Sequence, residues 1–93
     1  MTSFEEIAHA TLKEGGFTPT YVNLDHNSKY WFEMSITFGG VMIRIELDKG
    51  LMGAFGSEER FLEHEIKSYF PALTNAGVKD KGLPGEREDT GTD

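Results

Sequence analysis

Residues 30–55 read YWFEMSITFGGVMIRIELDKGLMGAF, and the spacing of apolar residues in this stretch decides the fold. Tyr30, Phe32, Met34, Ile36 and Phe38 occupy every second position, and after Gly39-Gly40 so do Val41, Ile43, Ile45 and Leu47. The positions between them are mostly polar. A period of two marks a strand with one buried and one wet face. A two-glycine connection tolerates the positive φ that a tight hairpin turn demands. The hairpin therefore pairs Phe38 with Val41, Ile36 with Ile43, Met34 with Ile45 and Phe32 with Leu47 on its inner face. Its outer face pairs Thr37 with Met42, Ser35 with Arg44, Glu33 with Glu46 and Trp31 with Asp48.

Working outward, Asp48-Lys49-Gly50 reads as the next turn, with Gly50 left-handed and followed by a bulge. Leu51, Gly53 and Phe55 then rejoin the inner face as a short fourth strand. On the other side, Thr20 to Asp25 reads as the first strand, and Asn27-Ser28-Lys29 as a three-residue loop. That loop sets Leu24 opposite Phe32 and Val22 opposite Met34, and leaves Tyr21, Asn23 and Asp25 facing out.

Helices flank the sheet. Ser3 and Glu6 form a capping box ahead of an apolar stripe of Phe4, Ile7, Ala8, Thr11 and Leu12, which predicts a helix over about 4–14 that stops at Gly15-Gly16. Ser57 caps a second helix over about 58–70, with Glu58 and Glu59 in its first turn and Phe61, Leu62, Ile66, Tyr69 and Phe70 on its stripe. Pro71 is expected to end it, and Val78 to be the last residue that packs. Residues 79–93 lack periodicity and consist largely of Gly, Pro, Thr and charge, so they read as a disordered tail. The expected fold is α+β, α-β-β-β-β-α: a four-stranded antiparallel meander with two helices on one face, in one domain spanning 1–78.

Composition bounds the function. The 93 residues carry sixteen acids against nine bases, net −7, and no cysteine. A disulfide framework and a thiolate metal site are thereby excluded. No apolar run approaches the ~20 residues of a membrane span, and the N-terminus lacks the layout of a signal peptide, so the expected location is cytoplasmic. Net negative charge disfavours direct binding of nucleic acid and favours a basic protein partner.

The chemistry-bearing residues do not form a catalytic pattern. His9, His26 and His64 are isolated from one another, with no ligand pair at metal spacing. The serines are taken up by caps, turns and surfaces. Gly50 to Gly56 is glycine-rich but has no lysine of a phosphate loop. Glu33 opposite Glu46 is a carboxylate pair without a pocket around it. No cofactor, metal or catalytic residue is expected. What remains is the outer sheet face, where Trp31, Tyr21, Met42 and Arg44 lie among Glu33, Glu46 and Asp48, the composition of a protein-binding patch. A second acidic row, Glu58, Glu59, Glu63 and Glu65, reads first as a solvated helix face.

A small, acidic, cysteine-free α+β chain with a meander and a charged tail resembles phage-encoded inhibitors of the anti-CRISPR type, and is similar in build to immunity proteins. The resemblance rests on size, charge and layout over residues 1–78. It implies a non-enzymatic inhibitor that occludes a larger, basic, nucleic-acid-handling effector, acting as monomer or homodimer. Two alternatives stand beside it: an immunity protein or acidic chaperone for a protein partner, and a small hydrolase using Glu33 and Glu46.

Overall fold

The computed structural model describes residues 3–25 and 27–79. The elements run α1 (Phe4–Glu14), β1 (Tyr21–Asp25), β2 (Trp31–Phe38), β3 (Val41–Asp48), a 3₁₀ helix (Lys49–Ala54), α2 (Glu58–Ser68) and α3 (Phe70–Asn75). The fold is α+β, with a three-stranded antiparallel sheet in the order β1-β2-β3. His26 and the greater part of the expected tail, residues 80–93, lie outside the described residues.

The central hairpin has the expected register at every pair, from Phe38↔Val41 to Trp31↔Asp48. Its turn uses positive φ at Gly39 only (φ 61°), the pattern of a II′ turn rather than a turn with both glycines left-handed. Thr20 fastens this turn to β1. Its Oγ1 donates to the Thr37 carbonyl (3.0 Å) and accepts the Gly39 N–H (3.2 Å).

The β1–β2 register differs from expectation by two residues: Leu24 faces Met34 and Val22 faces Ile36. An even shift keeps every side chain on its own face, so hydrophobic alternation could not discriminate the two registers. The connecting loop decides instead. Asp25 Oδ1 accepts the Asn27 N–H (2.8 Å), Ser28 Oγ accepts the N–H groups of Tyr30 (3.2 Å) and Trp31 (3.4 Å), and Lys49 Nζ donates to the Ser28 carbonyl (2.5 Å). These bonds hold a longer loop than three residues.

The expected fourth strand is absent among the described residues. Asp48 Oδ1 accepts the Gly50 N–H (2.8 Å) and so caps a 3₁₀ helix over Lys49–Ala54 in place of a strand. Leu51 is exposed, while Met52 and Phe55 are the residues of this segment that pack against the core. The β3 edge that a fourth strand would have used is instead met by the Tyr69 hydroxyl, which donates to the Glu46 carbonyl (2.8 Å).

α1 begins at the expected capping box, with Ser3 Oγ accepting the Glu6 N–H (3.1 Å) and Glu6 Oε1 accepting the Ser3 N–H (2.8 Å). α2 begins at Ser57, whose Oγ accepts the Arg60 N–H (3.2 Å). It ends at Ser68, and Pro71 opens α3 instead of closing α2, because proline lacks an N–H that the first helical turn does not use. Both long helices lie over the inner sheet face. Phe4 of α1 and Phe61 of α2 meet the Phe32 ring at centroid distances of 5.7 and 6.2 Å. Phe17 joins Phe38 (6.2 Å) to Phe70 (5.2 Å). The core thus gathers Ile7, Leu12, Met34, Ile36, Leu47, Leu62, Ile66, Leu73 and Val78 around these rings. Each such side chain contributes about 1.5–3 kcal/mol by leaving water. Thr11 is the buried polar residue of the described core, and its Oγ1 donates to the Ile7 carbonyl (2.8 Å).

Candidate functional site

With the helices on one face, the other face of the sheet is left open, and the register arranges it in rows across the strands. Tyr21, Thr37 and Met42 form one row; Asn23, Ser35 and Arg44 the next; Asp25, Glu33 and Glu46 the third. Trp31 and Asp48 complete the face beyond β1. The Lys49 N–H donates to the Tyr30 carbonyl (3.0 Å), which fixes Trp31/Asp48 and Glu33/Glu46 as non-hydrogen-bonded pairs. In such pairs the backbones approach most closely and side chains crowd each other.

The seven residues singled out from the sequence all belong to this face. The structure divides them between its two ends. Tyr21 (61% exposed) and Met42 (60%) stand at one end, with Arg44 in the adjoining row. Trp31 (41% exposed), Glu33, Glu46 and Asp48 stand at the other; along β2 the Glu33 row lies roughly 13 Å and Trp31 roughly 20 Å from the Thr37 row at the usual rise per residue. Trp31 is therefore a surface side chain and not a lid over the core.

The alternation places Tyr30 on the inner face, but in the structure it is 65% exposed. It precedes the first strand residue, and its ring lies beside that of Trp31, with centroids 6.3 Å apart. The place a buried Tyr30 would have taken near Phe32 is occupied by Lys49, whose Nζ sits 4.6 Å from the Phe32 ring centroid. Asp25 is the second residue the binding set lacked, and it extends the Glu33/Glu46 pair into three carboxylates side by side.

On α2, His64 Nδ1 lies 3.3 Å from Glu65 Oε2. Arg44 is exposed in the neighbouring row and stands within ion-pair distance of none of these carboxylates. Tyr30, Trp31, Glu46 and Asp48 line a shallow concavity of 390 Å³ at the acidic end of the face. A second concavity of 240 Å³ lies between α1 and β1, lined by Glu5, Glu6, His9, Thr20, Tyr21 and Val22.

The remaining candidates resolve simply. The acidic row of α2 is uneven: Glu58 and Glu59 are exposed, Glu63 and Glu65 half-buried, and Glu65 is engaged by His64. The His64 ring rests on Phe55, with centroids 4.9 Å apart. The glycine-rich segment leads into α2 through a first turn holding two glutamates, which repel phosphate. Among the described residues no group of His, Asp and Glu is placed to hold a metal ion, and no helix is long and apolar enough to cross a membrane. Neither a family model, nor a curated protein, nor a solved structure matches the chain.

Proposed function

We propose that the chain is a non-enzymatic protein-binding inhibitor, acting in the cytoplasm, whose outer sheet face covers a basic, nucleic-acid-handling surface of a larger protein. The observation that carries this reading is the acidic end of the face. Asp25, Glu33 and Glu46 stand side by side across the three strands, with Asp48 in the next row, beside the exposed rings of Tyr30 and Trp31. Directly opposed carboxylates cost a sheet stability. Their cost is offset when a basic surface docks, and long-range attraction of that surface speeds encounter. Exposed Trp and Tyr supply the apolar contact that makes such an interface tight, since these residue types carry most of the binding energy at protein interfaces.

The test is capture of the full-length chain's partner from cells of its source at low and at moderate salt, repeated with Trp31→Ala and with Glu46→Lys. The reading expects a basic nucleic-acid-binding protein that is retained by the parent chain, released as salt rises, and lost with both variants. Adding the chain to that protein should displace its nucleic acid. Retention of nucleic acid at saturating chain overturns occlusion. Capture that ignores both substitutions moves binding to another face and supports an adaptor or chaperone role.

A further inference from the structure

The concavity at the acidic end of the face has a more specific chemistry than an acidic surface. Two aromatic rings, Tyr30 and Trp31, stand 6.3 Å apart and inclined by 38°. Two carboxylates, Glu46 and Asp48, complete the lining. Aromatic faces carry negative quadrupole charge and attract cations, and carboxylates do so by full charge, so both kinds of wall favour the same occupant. We propose that this cleft is a receptor for a single arginine side chain of the protein partner, stacked on the Tyr30–Trp31 rings and hydrogen-bonded to Glu46 and Asp48. The proposal rests on the occlusion reading for the source of the arginine, though not for the chemistry of the cleft.

Two features select arginine over other cations, and two more favour a cation in general. The cleft is shallow and open, and a planar guanidinium stacks on an exposed ring where a compact ammonium would want to be enclosed. The guanidinium also presents several N–H donors in its plane, which suits acceptors at the rim of the stack. One of the acceptors is held in place before anything binds, and the strand that carries the other is anchored. Asp48 Oδ1 accepts the Gly50 N–H (2.8 Å), and the backbone of Glu46 is tied by the Tyr69 hydroxyl (2.8 Å). Walls that are already ordered lose little freedom on binding. The charge is right as well, since the chain is net −7.

Trp31 is the single tryptophan of the chain, so its indole reports the cleft directly. The experiment titrates the full chain with an acetylated, amidated Gly-Arg-Gly peptide, following Trp31 emission and the indole N–H resonance. The same peptide with citrulline, which keeps the shape and loses the charge, and with lysine serve as comparisons. The arginine peptide is expected to give a saturable shift at Trp31. Citrulline should bind roughly tenfold more weakly, as loss of a cation–π contact and its ion pairs implies, with lysine between them. Asp48→Asn and Glu46→Gln should each weaken the arginine peptide by about threefold or more, as loss of one exposed charge partner implies, while Asp48→Asn retains an acceptor for the Gly50 N–H.

Citrulline binding as well as arginine, lysine binding as well or better, or a Trp31 signal that never saturates each overturn the proposal. The outcomes also separate the two readings. If the arginine peptide fails but Trp31→Ala and Glu46→Lys still lose a captured protein, occlusion stands and the arginine receptor falls. If the peptide binds but no protein is displaced from nucleic acid, the cleft stands as a cation site and the occlusion reading falls, and with it the partner as the source of the arginine.

Discussion

The two faces of the β2–β3 hairpin are built from alternate residues of the same eight-residue strands, yet they do different work. On the inner face Phe32, Met34, Ile36, Phe38, Ile45 and Leu47 are buried under α1 and α2. On the outer face Trp31, Glu33, Arg44, Glu46 and Asp48 have no covering element among the described residues. The inner face satisfies itself. The outer face holds features that cost a free molecule stability, namely opposed carboxylates and exposed rings. The difference teaches that side-chain parity separates what holds the fold from what is left uncovered, so that a substitution on one face should affect stability and a substitution on the other should spare it.

The sharpest test of that separation is Phe61→Ala. Phe61 is fully buried between Phe32 and Phe55, with centroids 6.2 and 6.0 Å away. Its loss should destabilise by about 3–5 kcal/mol in chemical denaturation followed by circular dichroism. A small effect would show that the inner face is loosely packed and that the contrast between faces is weaker than drawn.

Gly15→Ala comes next. A Cβ at residue 15 would meet the Phe70 ring at Cε2 (2.4 Å), so the ring must move out of its place against Phe17. The expected loss is about 1–3 kcal/mol in the same assay. Thr20→Val removes the hydroxyl between the Thr37 carbonyl and the Gly39 N–H and should cost about 1 kcal/mol, with hydrogen exchange accelerated at Gly39.

The outer face should then give the smallest changes in stability. Trp31→Ala is expected to alter it by no more than about 1 kcal/mol while abolishing capture of the partner. Glu33→Gln removes the central charge of the Asp25, Glu33, Glu46 row and should stabilise the chain by about 0.2–1 kcal/mol, an increment that shrinks as salt is added. A destabilising Glu33→Gln would break the comparison, because it would make this row part of what holds the fold.

What was legible in the sequence follows the same parity. Alternation over residues 31–47 and a two-residue glycine turn leave one register for the hairpin, and each predicted pair is present. The β1–β2 register was not legible, because a slip of two residues preserves both faces and only the hydrogen bonds of Asp25, Ser28 and Lys49 choose between the alternatives. Residues 49–55 were misread for a related reason. Leu51, Gly53 and Phe55 imitate a strand period, while the stronger local signal was Asp48, a capping side chain two residues before the Gly50 N–H it binds. At the candidate site, Trp31, Glu33, Glu46 and Asp48 could be placed together from the hairpin alone. Tyr30 could not, since whether a ring at the end of a strand turns in or out depends on Lys49, a residue distant in sequence, and the space it fills.

The Tyr69 hydroxyl on the Glu46 carbonyl has a consequence for how the molecules behave in a crowd. β3 is an edge strand, with no strand paired to its far side among the described residues, and an unpaired edge is a template on which another chain can add its own strand. One phenol stands at the point where such addition would run toward the acidic end. Tyr69→Phe would leave the fold's core contacts in place but lengthen the open template, so that light scattering at high concentration should rise before any loss of secondary structure is seen. The side chain that tethers helix to sheet thus also occupies one acceptor of that open edge.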